Sequence, residues 1–157
     1  MRKNSNCRAA IILGMHDAIV SLTGLIAGLF FAFKDSNIII ISCIISSITA
    51  ALSMGAANYL ATKTINREHA IQSASYTFAA YMITCVLLIL PFFVFRDRTT
   101  TLTAVIFVAI FIIFAFNWCC YNGKTFRRNF IEMFCICTIV SVFAFFIGEI
   151  ANQIFGI

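Results

Sequence analysis

Five long apolar runs, at about 9–33, 37–61, 74–95, 101–120 and 130–155, decide what this chain can become. A helix needs roughly 20 apolar residues to cross a hydrocarbon core about 30 Å thick. Inside that core every backbone polar group must be satisfied within the protein, which helices do. The runs therefore predict an all-α polytopic membrane protein with five transmembrane helices, forming a single transmembrane domain over residues 1–157. The connections are short and polar: "KDSN" at 34–37, "TKTINREHAIQS" at 62–73, "RDRTT" at 96–100 and "YNGKTFRRN" at 121–129. With 62% of the 157 residues hydrophobic and 11% charged, little is left over for a soluble domain. The one proline, Pro91, falls near the end of the third run, where its missing amide hydrogen is least costly. Arg2 and Lys3 before an apolar stretch also fit a secretory signal. That reading is set aside because the run is too long, contains Asp17 and is followed by further apolar runs.

The basic residues are distributed unevenly. With five spans, one side of the membrane holds Arg2, Lys3, Arg8, Lys63, Arg67, Lys124, Arg127 and Arg128, and the other holds Lys34, Arg96 and Arg98. This bias predicts a cytoplasmic N-terminus and a C-terminus outside or in a lumen. The net charge of +5 is topological, because the basic residues are spread over short segments and form no patch suited to nucleic acid. Seven cysteines, Cys7, Cys43, Cys85, Cys119, Cys120, Cys135 and Cys137, include no CxxC pair and no histidines at zinc spacing. They are read as apolar packing residues, with soft-metal contact at Cys135 or Cys137 as the alternative.

Ionisable groups inside membrane helices are functional candidates by default. Two acids are singled out on that ground. Asp17 is about 12 Å into the first span, whereas Glu149 is about 30 Å into the fifth and near the far surface. Asp17, Ser21, Gly24 and Gly28 share one helical stripe, whose small and polar members suit helix packing better than lipid. The second span carries Ala50, Met54, Ala57, Asn58 and Ala61 on a comparable stripe, with Met54 about 10 Å from the same surface. A carboxylate with a thioether suits a softer first-row cation such as Fe²⁺ better than Mg²⁺ or Ca²⁺. One carboxylate leaves such a cation half-neutralised, so two copies of Asp17 and Met54 across a twofold axis form a better site. Carboxylates that lose their metal in such a site would take up protons. A structural, hydrogen-bonding role for Asp17 is the competing reading.

At these two segments the chain resembles the vacuolar iron transporter family. The family's first-helix signature, Gly-x-Asn-Asp-Gly-x-Val-Ser and then Gly-Leu-x-Ala-Gly, is similar to Gly14-Met15-His16-Asp17-Ala18-Ile19-Val20-Ser21 and Gly24-Leu25-Ile26-Ala27-Gly28. Its second-helix pattern, Ser-Met-Ala-x-Gly-Glu-Tyr-x-Ser, is similar to Ser53-Met54-Gly55-Ala56-Ala57-Asn58-Tyr59-Leu60-Ala61. Tyr76-Thr77, Pro91-Phe92 and Ile154-Phe155-Gly156 also resemble the family. The resemblance implies a homodimer with the transport path at the interface, exporting Fe²⁺ or Mn²⁺ from the cytosol in exchange for protons. It implies Asp17 and Met54 as metal-binding residues, with Asn58 where the family has glutamate. Ser21, Gly24, Gly28, Tyr59 and Tyr76 are assigned to the path or its helix packing. The family's Glu-rich cytosolic insertion between helices two and three has no counterpart in the short connection here, which offers only Glu68 and His69.

The expected function is proton-coupled metal-ion export, with membrane lipid, protons and divalent metal as partners, no resident cofactor and no nucleic acid. A bacterial inner membrane is favoured over an organellar one. Two alternatives stay open: a transport-inactive accessory protein of the same fold, and an exporter of small organic cations with Asp17 as counter-ion. No HExxH or Gly-x-Ser-x-Gly motif suggests an enzyme. His16, about 100° around the helix from Asp17, is read as a packing or headgroup residue.

Overall fold

A computed structural model describes the backbone of residues 2–95, 97–120 and 124–155, and the side chains of 7–95, 97–118 and 125–154. Expectations attached to the side chains of Arg2, Lys3, Arg96, Cys119, Cys120, Lys124 and Phe155, and to Gly156, lie outside those described residues. Five α-helices follow in order: α1 (Arg2–Ala32), α2 (Ser36–Ile65), α3 (Ala70–Val94), α4 (Arg98–Cys120) and α5 (Lys124–Phe155), with a 3-10 turn at Arg67–His69. Among the described residues all five are long and apolar enough to cross a membrane. No strand is present among them.

The helices run further into the polar connections than the sequence suggests. Only Asn66 and the 3-10 turn separate α2 from α3, so most of "TKTINREHAIQS" is helical. Local capping explains why the helices stop where they do. Asp35 Oδ1 accepts from the Asn37 amide at 2.8 Å to start α2, and Asn66 accepts from Glu68 N–H at 3.1 Å to start the 3-10 turn. Asp97 accepts from both the amide (2.8 Å) and the hydroxyl (2.7 Å) of Thr100 at the head of α4. Those two donors hold the exposed Asp97 carboxyl below the usual carboxylate range. Pro91 lies inside α3 one turn from its end, and its carbonyl accepts the closing bond from Phe95 N–H at 2.9 Å.

α1 is the central element. It packs most extensively on α5 and α3, while α2 leans on α3 and touches α1 less. Each helix contributes a four-residue rhythm to the interior: Ile39, Cys43, Ser47, Ala51 and Gly55 on α2, and Thr101, Val105, Ala109, Ile113 and Asn117 on α4. The main core joins Ala18, Leu22, Ile26 and Phe30 of α1 to Tyr81, Cys85 and Leu88 of α3, with Ile39 and Cys43 of α2. A smaller core at the other flank of α1 joins Met15 and Ile19 to Ile113 of α4 and to Met133 and Cys137 of α5. Cys43, Cys85 and Cys137 are thus buried packing residues, Cys135 is exposed, and all of these are free thiols.

Close helix approach depends on a few glycines. A Cβ on Gly14 would collide with the Thr77 carbonyl of α3, and one on Gly148 with the Gly28 carbonyl of α1. One on Gly24 would stand 2.9 Å from Val140 Cγ1, and one on Gly28 3.1 Å from the Ala144 carbonyl. At the far end of the bundle Arg98 of α4 reaches over to α1. Its guanidinium donates to the Phe30 carbonyl and, at 3.0 Å, to the Lys34 carbonyl, and lies 4.2 Å from the Phe30 ring centroid. A cation thereby covers carbonyls that a helix C-terminus leaves without partners.

Candidate functional site

The helical register sets the levels of the candidate residues. Gly14 abuts Thr77 of α3, and Gly55 of α2 abuts Ala74 and Phe78 of the same helix, 3.6 and 3.4 Å from where its Cβ would be. Asp17 stands three residues beyond Gly14 and Met54 one residue from Gly55, so both fall within about one helical turn of one level on α3. Both are half-buried, and Met54 packs against the main core. Among the described residues the Asp17 carboxylate has no hydrogen-bond or ion-pair partner, and it lies within coulombic reach of the Tyr81 hydroxyl and the Cys85 thiol.

The stripe that carries Asp17 divides into two parts. Gly24 and Gly28 form the crossing with α5, as their size suggests. Asp17 is only half covered and Ser21 is exposed, because the buried side of α1 at this level is Met15, Ala18, Ile19 and Leu22. Within one chain, therefore, only the Gly24–Gly28 part of the stripe is packed on another helix, and its Asp17–Ser21 part lines an open flank. Ser21, Gly24 and Gly28 instead line a groove of about 490 Å³ between α1, Ser46 of α2 and Ala144 of α5. The Met54 stripe is likewise half open. Ala57 and Ala61 are exposed, since α2 turns its neighbouring stripe, ending at Gly55, toward α3.

Asn58 is committed to the helix bundle. Its amide nitrogen donates to the Ser73 carbonyl (3.2 Å), the Ser73 hydroxyl (3.0 Å) and the Thr77 hydroxyl, and its oxygen accepts from Thr62 at 3.2 Å. Thr77, fully buried, also donates to the Ala10 carbonyl at 3.1 Å. The carboxamide thus ties α1, α2 and α3 together at a point where a carboxylate would have no proton to donate to these acceptors.

Of the tyrosines, Tyr81 reaches the stripe. Its hydroxyl is 2.7 Å from Ser21 Oγ while its ring is buried in the core. Tyr76, assigned to the path from sequence, is 40% exposed and stands about 100° from the buried stripe of Ser73, Thr77 and Tyr81. Tyr59 is half-buried under the Lys63 ammonium, 5.5 Å from its ring centroid. The signal for Tyr81 was its four-residue spacing from Thr77, which puts both on one helix face.

Another group that sequence reasoning passed over is Glu132. It is exposed on α5, within coulombic reach of half-buried His16, whose ring stands edge-on to Phe116 at 6.2 Å. Glu149, six residues before the end of α5, accepts from Gln153 at 3.4 Å. Among the described residues no three His, Cys, Asp or Glu side chains gather as a metal cage. One chain therefore offers a cation a carboxylate and a thioether from α1 and α2, and no complete ligand set.

Comparison with known proteins follows the same two helices. No curated protein matches the chain. A sequence model of the VIT family matches residues 8–69, a stretch that begins in α1, includes all of α2 and ends at the 3-10 turn. That match, which contains both Asp17 and Met54, supports the chain's membership of the vacuolar iron transporter family.

Proposed function

We propose that the protein exports Fe²⁺ or Mn²⁺ from the cytosol in exchange for protons, as a homodimer whose facing α1 and α2 helices enclose the path. The observation that carries this reading is the Asp17 carboxylate: unpartnered among the described residues, midway along a membrane helix and level with the Met54 thioether. An unpaired carboxylate at this depth is costly unless a cation or a proton visits it. The family match supports metal-ion transport, and the open flank at Asp17 and Ser21 suits a second copy of the same surface. Two Asp17 carboxylates would neutralise one divalent cation and two Met54 thioethers would favour a transition metal over Mg²⁺ or Ca²⁺. Metal release outward would leave two close carboxylates that take up protons from that side, and inward reorientation would return those protons to the cytosol.

The test is flux of Fe²⁺ and Mn²⁺ into proteoliposomes under an imposed pH gradient, with proton movement followed by an entrapped dye. Expected are metal-dependent proton counterflow in the native chain, its abolition in Asp17→Asn, and a weaker, less selective flux in Met54→Ala. Flux indifferent to Asp17→Asn would sink the mechanism. A second reading, a transport-inactive member of the fold, draws on the engagement of Asn58 with α3, which leaves the position without a carboxylate. Metal binding by the native chain without turnover in the same vesicles would favour it.

A further inference from the structure

The α4 helix turns Val105, Ala109 and Ile113 to the interior without filling the space beside them. Between it, α1 and α5 lies a cleft of about 440 Å³, floored by Ala27 of α1 and walled by Ile106 and Ile110 of α4 and by Phe134, Val142 and Phe145 of α5. Of its three hydroxyls, two are engaged by their own backbones, Thr23 with the Ile19 carbonyl at 2.6 Å and Thr138 with the Phe134 carbonyl at 2.8 Å, which leaves Ser141. The lining thus offers almost nothing to water, and a cavity of this kind open to a bilayer fills with hydrocarbon.

Size and shape choose among hydrocarbon occupants. The cleft extends from Leu102 to Ile113 along α4 and from Phe134 to Phe145 along α5. Each is eleven residue steps, or about 16 Å, close to the depth of one leaflet of a ~30 Å core. At ~30 Å³ for a water-sized group such as a methylene, the volume holds about 15 of them, a single acyl chain. A helix crossing the same depth, about 10 Å in diameter, would need roughly 1,300 Å³. The lining is also mostly Ile, Val, Leu and Phe, whereas helix docking in membranes uses small residues, which this chain gathers in the α1–α2–α5 groove instead. The end of the lining at Leu102 and Phe31 lies about one helical turn from Arg98 and from Lys34 along their chains. Arg98 spends N–H donors on the Phe30 and Lys34 carbonyls and keeps others, and the Lys34 side chain is exposed. A phosphate one chain-length above the cleft floor meets these two cations.

We infer that the α1–α4–α5 cleft is a specific phospholipid site, holding one acyl chain along α4 with the headgroup phosphate at Arg98 and Lys34. This goes beyond the proposed metal export and does not depend on it. The chain's single tryptophan, Trp118, makes the site readable. In a Trp118→Phe background, Ile110→Trp puts a fluorophore in the cleft, and Phe107→Trp puts one on the outward face of the same helix, where residue 107 is 68% exposed. Each protein, purified in detergent, is titrated with phosphatidylglycerol brominated at mid-chain. Expected is quenching of the cleft probe that saturates near one lipid per chain, and quenching of the outward probe that rises only with total lipid. Adding Ala27→Leu and Ala109→Phe, which fill the cleft, removes the saturable phase, and Lys34→Gln shifts it to several-fold higher lipid. Retained helicity and elution volume identify folded variants. Identical unsaturable responses from the two probes overturn the proposal. So does a saturable phase that survives filling of the cleft in a folded variant.

Discussion

Asp17, Asn58 and Tyr81 show how unevenly a sequence reveals its site. Asp17 was legible because a carboxylate among apolar residues violates the cheapest composition for its place, whatever surrounds it. Asn58 was read by its position in a motif, but its role depends on acceptors 15 and 19 residues away on another helix, which no local spacing discloses. Tyr81 belongs to no quoted motif, and only packing shows that its hydroxyl meets Ser21. Tyr81→Phe removes that 2.7 Å bond while keeping the ring, and is expected to lower stability by about 0.6 kcal/mol, the usual scale for interhelical hydrogen bonds in membranes. Thermal unfolding in detergent measures it, with Ser21→Ala giving the same loss and the double variant little more. At the membrane surface Asp97 makes a pH prediction. Its ionised form is favoured by folding through Thr100, so the stabilisation is present above the ordinary carboxylate pKa and disappears as pH falls through the lower folded value. Asp97→Asn should therefore melt earlier than the native chain at neutral pH, and the gap should close below about pH 4.

At the scale of elements, the five helices were readable because span length is a property of composition alone, whereas the choice of neighbours was not. Small residues occupy more than one face of α1 and α2, so the stripes could not say which face meets a helix of the same chain. Only backbone proximity distinguishes them: Gly24 and Gly28 against α5, Gly14 and Gly55 against α3. This yields a graded test. Gly14→Ala drives a methyl into the Thr77 carbonyl and should cost about 1–3 kcal/mol through displaced backbone. Gly55→Ala meets Phe78 Cβ at an ordinary 3.4 Å and should be tolerated within a few tenths. Equal losses in chemical denaturation would mean that the α1–α3 crossing relaxes more easily than its geometry suggests. The capping of α1 by Arg98 belongs to this scale too. Arg98→Lys keeps the charge but not the fork that spans two carbonyls, so it should recover less than half of the stability lost in Arg98→Ala.

For the whole molecule, the open flank at half-buried Asp17 and exposed Ser21, continuous with the groove that Ser21 shares with Gly24 and Gly28, leaves polar residues uncovered where lipid would favour larger apolar ones. A second copy would cover them. Light scattering with the detergent contribution subtracted should give twice the 17.5 kDa chain mass, and Ser21→Phe should reduce it to one chain and stop metal flux together. The sequence carried this idea through charge balance at Asp17 and through the family resemblance, because no pattern within one chain shows which of its faces would meet a second copy.

The attachment of α4 has a further consequence. It is the shortest of the five helices at 23 residues, against 25 to 32 for the rest. Polar contacts hold it near its two ends, at one by the Arg98 clip to the α1 end and at the other by buried Asn117, which donates to Met133 Sδ of α5 at 3.6 Å. The longer helices can absorb a change in bilayer thickness by tilting, but a strut pinned at both ends transmits it as tension to α1 and α5. A change in bilayer thickness that tilted α4 would therefore bear on α1, the helix that carries Asp17.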